Sequence, residues 1–128
     1  MNHHWELPDD LSASASARQR VRSALEIDGV REGTRDDAEL IASELAANAV
    51  RYGAPPYTLA LDVTADRIRI TVSDHGSTAD PRVTDAAHDA GNGRGLAMIA
   101  AVAEDLGWHR EGDRLDVWAD LSLVAPGD

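Results

Sequence analysis

The sequence predicts an α+β protein: a two-layer sandwich with helices covering one face of a mixed, mostly antiparallel sheet. Three observations predict it. The periodicities run strand, helix, helix, strand, strand, long loop, helix, strand, an order that packs as a helical layer on one sheet face. Residues 57–63 and 67–74 alternate as a hairpin with one buried side. The chain has 128 residues, 43% of them hydrophobic, which is one domain's worth with a real core, so a single domain over residues 1–128 is expected.

Residues 3–7 read as a short strand stopped by Pro8, and Asp9, Asp10 and Ser12 offer helix caps after it. A helix from about Ser12 to Leu25 carries Val21 and Leu25 on one side and breaks at Asp28-Gly29. Thr34 reads as the next N-cap, with Asp36 and Asp37 in the first turn, where the helix dipole favours acids. This second helix runs from about Arg35 to Tyr52 and ends at Gly53, and Pro55-Pro56 keep it from resuming. The hairpin follows, turning at residues 64–66. Residues 75–93 are irregular and rich in Gly, Asp, Ser and Thr, too long for a passive connection and of the kind that forms lids or binding loops. A helix from about Arg94 to Leu106 is expected next, with Leu96, Ile99, Ala103 and Leu106 on one face. A last strand, Arg114 to Leu123, alternates Leu115, Val117, Ala119, Leu121 and Leu123 against Asp116, Trp118 and Asp120.

Composition excludes several chemistries. There is no Cys, hence no disulfide, thiolate metal site or thiol nucleophile. There is no Lys; all twelve basic residues are Arg, so neither a Walker-type nor a Schiff-base lysine exists. The formal net charge of −11 disfavours a nucleic-acid partner, and aromatics at 4% leave little for base stacking. No stretch approaches the ~20 apolar residues of a membrane span, and Met1-Asn2-His3-His4-Trp5 lacks a signal pattern, so a cytoplasmic protein is expected. His3, His4, His75, His88 and His109 read as surface or loop residues, without metal-ligand spacing beyond the adjacent His3-His4.

Polarity is out of place for mere folding at three points. Glu44 and Asn48 sit four apart on the second helix, on a stripe with Asp37 and Arg51 beside the apolar face of Ala38, Ile41, Ala42, Leu45 and Ala49. A carboxylate and a carboxamide so placed can hold a hydrated divalent cation, with the carboxylate free to act as a base. The plainer reading is a solvated helix edge with a Glu–Arg contact. Asp74 keeps phase with Ile68, Ile70 and Val72, which turns a carboxylate toward the core at a strand end, with Gly76 two residues on. That suits an acceptor for the amino group of a heterocycle; the alternative is an Asp that ends a strand and starts a turn. Gly91-Asn92-Gly93-Arg94-Gly95-Leu96 opens a helix, which makes either an anion site or a flexible linker with an ordinary cap. One arrangement uses all three: magnesium at Asn48, adenine at Asp74 and phosphates at the glycine-rich helix start.

The set Glu44-Leu45-x-x-Asn48-Ala49-Val50, Asp74-x-Gly76 and Gly93-x-Gly95-Leu96-x-x-Ile99 resembles the three boxes of the Bergerat-fold (GHKL) ATPase and kinase superfamily, which includes gyrase and histidine kinases. Within it the chain is similar to the small stand-alone anti-sigma-factor serine kinases of actinobacterial type. The flanks agree: Leu7-Pro8 before the Ala-rich helix, Asp36-Asp37-Ala38-Glu39-Leu40 before the Glu44 box, and Val117-Trp118-Ala119-Asp120-Leu121 at the end. The resemblance covers essentially the whole chain.

The resemblance implies the Bergerat fold with ATP and Mg2+ as cofactors. Asn48 would ligate magnesium, and Glu44 would be the general base for a serine hydroxyl or a water. Asp74 would accept the adenine amino group with Gly76 beside it. Gly93, Arg94, Gly95 and Leu96 would form the phosphate end, and residues 77–92 the lid. Arg51 would salt-bridge Glu44. The implied activity is transfer of the ATP γ-phosphoryl group to a serine of an antagonist protein, with sequestration of a sigma factor. Relatives often form homodimers. Rival readings are a degenerate Bergerat module that sequesters a partner with little chemistry, and a detached histidine-kinase-like ATPase domain. Two departures stand out: Thr78 replaces the second Gly of Asp-x-Gly-x-Gly, and Leu115-Asp116 stand where the family often has a Thr near the adenine.

Overall fold

The computed structural model describes residues 1–77, 80–81 and 96–123. Along them run β1 (Asn2–Leu7), α1 (Ala13–Ile27), α2 (Glu32–Tyr52), β2 (Ala54–Val63), β3 (Arg67–His75), α3 (Ala97–Val102), β4 (Asp105–Glu111) and β5 (Arg114–Ser122). The strands form one sheet in the order β1-β2-β3-β5-β4. All four pairings are antiparallel, where a mixed, mostly antiparallel sheet was expected.

The alternation of β3 explains the layering. Ile68, Ile70, Val72 and Asp74 are buried on the helix side, and Arg67, Arg69, Thr71, Ser73 and His75 point the other way. Opposite β3, Leu59 and Leu61 from β2 and Leu115, Val117, Ala119 and Leu121 from β5 complete the floor of the core. The roof comes from α1, which buries Ala13, Ala17, Val21, Ala24 and Leu25, and α2, which buries Ala38, Ile41, Ala42, Leu45, Ala46 and Ala49. Alanine on both facing stripes lets the helices approach closely. Across this contact Arg22 donates twice to Glu39 Oε1, at 3.0 and 2.6 Å, which pairs the buried carboxylate of Glu39.

Among the described residues no helix covers the other sheet face, and its side chains cover one another. Arg69 grips Asp120 through two hydrogen bonds of 2.7 and 2.9 Å and lies 4.0 Å over the Trp118 ring. Trp118 has room because its cross-strand neighbour is Gly107, where a Cβ would come within 2.2 Å of the indole.

Three expectations are corrected. α2 starts at Glu32, so Thr34 lies inside it and Arg31, in extended conformation, occupies the N-cap position. Asp36 and Asp37 therefore fall in the second turn. The helix expected to reach Leu106 stops at Val102, and residues 105–111 form the edge strand β4, which the sequence reading missed. Ala103 turns extended and the Glu104 N–H bonds Asp120 O at 2.8 Å, which starts the pairing with β5. Leu96, Ile99, Ala103 and Leu106 still pack into the core, the first two from the α3 end and Leu106 from a strand. Among the described residues no helix is long and apolar enough to cross a membrane.

Candidate functional site

Asp74 lies at the end of the central strand, fully buried on the helix side. Its cross-strand neighbour on β5 is Leu115, also fully buried. On β2 the register shifts between Ala54 and Thr58, and Thr58 pairs with Ser73, which sets Tyr57 beside Asp74 on the same face. Tyr57 is buried, and its phenol is held above the ordinary tyrosine range, first by burial and then by the negative charges of Asp9 and Asp74.

Gly53, at the end of α2, sits directly over the Asp74 carboxylate. A Cβ there would lie 2.2 Å from Oδ1 and 2.3 Å from Cγ, closer than any side chain tolerates. Gly53 has an extended backbone that other residues adopt readily, so space is what demands glycine. This close approach went unread in the sequence, where Gly53 served only as a helix stop. Gly76 has a left-handed backbone (φ +68°) that favours glycine, and its N–H bonds Asp113 O at 3.0 Å.

Glu44 and Asn48 lie on one side of α2, both half-buried. With Leu11, Ser14, Ala47 and Arg51 they line a cavity of about 420 Å³ between the start of α1 and the second half of α2. The expected Glu44–Arg51 salt bridge is not formed: Arg51 is exposed, with its guanidinium 5.9 Å from the centre of the Tyr52 ring. Two helical turns, ~10.5 Å of rise, separate the two residues along the axis. Among the described residues Glu44 has no ion pair, which leaves its carboxylate available at the cavity wall.

Counting back along α2 from Gly53, Asn48 is five residues away and Glu44 nine, ~7.5 and ~13.5 Å of helix rise. The buried acceptor on β3 beneath the end of α2, and then the carboxamide and the accessible carboxylate on α2 itself, thus follow one another along the helix axis. That is the order in which a nucleoside triphosphate presents its base, phosphates and reacting end. In the cradle that Gly53 and Asp74 form, the buried carboxylate has the chemistry to accept a hydrogen bond from an amino-bearing ring, and oxygen donors at Asn48 and Glu44 on the cavity wall have the chemistry to hold a hard divalent cation. Gly93, Arg94 and Gly95, expected at the phosphates, and most of residues 77–92, expected as a lid, lie outside the described residues; Leu96 is buried at the start of α3.

A family model for the histidine kinase-like ATPase domain matches residues 7–120. The chain belongs to the histidine kinase-like ATPase domain family. The Bergerat superfamily expected from Glu44, Asn48, Asp74 and Gly76 is thereby borne out, together with the α+β fold. Membership of this ATPase family implies ATP as the ligand. Among solved structures, the crystal structure of the RsbU and RsbW domains of Rv1364c from Mycobacterium tuberculosis matches with a TM-score of 0.74 at 21% identity. That match covers 98% of this chain and 34% of the other, so this ATPase domain spans about a third of that structure's length. The Acinetobacter baumannii histidine kinase AdeS matches with a TM-score of 0.50 at 19% identity, over 94% of this chain and 68% of the other. These likenesses are of fold. No curated protein matches.

Proposed function

We propose that this ATPase domain binds ATP with Mg2+ and transfers the γ-phosphoryl group to a serine of a protein antagonist while holding a sigma factor as its regulated partner. The observation that carries the reading is the placement of the buried Asp74 under Gly53, with Asn48 and Glu44 following back along α2. The fold likeness to the RsbU and RsbW domains supports the choice of a regulatory kinase within the family. A homodimer, a lid over residues 77–92 and a cytoplasmic location belong to the same proposal.

Asp74 accepts a hydrogen bond from the adenine amino group. Asn48 Oδ1 would hold the metal, which supplies charge neutralisation for the phosphates. Glu44 takes the proton of the acceptor serine as its Oγ bonds to the γ-phosphorus and the bond to the ADP oxygen breaks. The glycine-rich stretch Gly93-Arg94-Gly95 meets the phosphates in this proposal, through backbone N–H groups and one guanidinium.

One feature favours a second reading, a binding module with little chemistry. Leu115 occupies the position beside Asp74 where a hydroxyl would help hold the base, so that side of the cradle is apolar. Calorimetric titration with ATP, with and without magnesium, followed by a transfer assay on Glu44→Gln, separates the two. For a kinase, ATP binds and the variant keeps binding while transfer falls by ~10²–10⁴-fold. Transfer at the unmutated rate would remove Glu44 as the base, and a chain that binds no ATP would leave only the module.

A further inference from the structure

Arg110 has no place in the mechanism above, yet it is bonded to the segment that leaves the base end of the site. It lies on β4 opposite Leu115, which lies opposite Asp74, so the three residues form one row across three strands on the helix side. From that row its guanidinium reaches two groups. Nη1 donates to the Ser77 carbonyl oxygen at 2.7 Å, and Nη2 donates to Asp80 Oδ1 at 2.9 Å. Ser77 is buried, three residues past Asp74. A third tie comes from the same hairpin: Asp113 O accepts the Gly76 N–H at 3.0 Å.

We infer that Arg110 is a positioning residue for the base end of the nucleotide site. It fixes the path of Gly76 and Ser77, and through them the wall beside the Asp74 carboxylate. Gly76 turns the backbone through a left-handed conformation immediately after the strand, and such a turn is easily re-aimed unless the next residues are held. The Gly76 N–H bond fixes one side of the turn. The Arg110 fork fixes the other, with charge-assisted bonds about twice as strong as neutral ones. The Ser77 arm matters more, because its acceptor is buried. Asp80 is 66% exposed, so its arm is weakened by water. A lysine could serve one acceptor but cannot present two donors in a rigid plane. The inference rests on the ATP-binding reading and adds to it a residue outside the three sequence boxes.

The test uses the full chain with Arg110→Ala, Arg110→Lys and Asp80→Ala, titrated with AMP, ADP and ATP in the presence of magnesium. Arg110→Ala is expected to weaken all three nucleotides by the same factor, about tenfold, because the base end is common to them. Amide exchange at Gly76 and Ser77 should quicken, while that of the β3 interior stays unchanged. Arg110→Lys should recover only part of the affinity, and Asp80→Ala should lose less than threefold, by the weakness of an exposed pair. Wild-type affinity in Arg110→Ala overturns the inference, as does a loss confined to ATP. Should Arg110→Ala fail to fold, Arg110→Lys decides by the same criteria. A wild-type chain that binds none of the three nucleotides overturns the ATP-binding reading and this inference with it.

Discussion

Substituting Gly53 by alanine probes the site without removing any functional group. The added Cβ would stand 2.2 Å from Asp74 Oδ1, 2.3 Å from Cγ and 2.7 Å from Cβ. Ordinary contact begins near 3.4 Å, so the carboxylate or the end of α2 must yield by about 1.2 Å. Both lie in packed surroundings, and overpacking of this kind costs ~1–3 kcal/mol. For a chain of this length that lowers the melting temperature by about 4–12 °C. A displacement above 1 Å also spoils a hydrogen bond to a base, and loss of a charged acceptor costs ~1.5–3 kcal/mol, or roughly ten- to a hundred-fold in ATP affinity. Calorimetric titration and thermal melting of Gly53→Ala measure both effects. Gly33→Ala is the control: Gly33 is in α2 with nothing within 4 Å of its absent Cβ, so alanine should leave affinity alone and stabilise by up to about 1 kcal/mol. A Gly53→Ala protein with wild-type melting and wild-type affinity would refute the account of the cradle. One that is destabilised but binds ATP normally would move the base away from Asp74.

Asp74→Asn should cut ATP affinity ten- to a hundred-fold or more in a folded protein, since a buried amide donor then faces the base amino group; an unchanged dissociation constant would remove Asp74 from the site. Asn48→Ala should weaken ATP binding in magnesium and leave it unchanged in EDTA, and equal losses in both would make Asn48 structural. Tyr57 predicts an alkaline limit. Its phenol is raised above the ordinary 10.0 by burial, so the folded state keeps a proton that the unfolded chain has lost. Stability is therefore full below pH ~10 and falls as the pH rises toward the folded-state value. Thermal melts at pH 9–11 should show that slope reduced in Tyr57→Phe, and identical slopes would deny the buried phenol.

Much of this fold was legible locally. The phase of Ile68, Ile70 and Val72 predicted the inward turn of Asp74, because period-two alternation is imposed by the pleat itself. The Glu44–Asn48 pairing was legible for the same kind of reason, four residues making about one helical turn. β4 was not, because Leu96, Ile99, Ala103 and Leu106 fall at helical spacing and satisfy the core equally from a helix or from a helix followed by a strand. What breaks the helix after Val102 is the pairing of residues 105–111 with β5, including the space Gly107 leaves for Trp118, and neither is visible in a local window. Gly53 and Arg110 escaped for a related reason. One is recognised by what would collide with it and the other by a backbone carbonyl 33 residues away, and both exist only in three dimensions.

The central position of β3 also sorts the site by how readily its parts can open. A strand paired on both edges and covered by α2 releases its interior amides only when much of the sheet comes apart, so Asp74 sits at the end of the slowest-opening part of the molecule. Glu44 and Asn48 are carried by α2, which side-chain packing holds on the sheet instead of strand pairing. The base end therefore rests on the backbone ladder of the sheet, and the other end on packing alone.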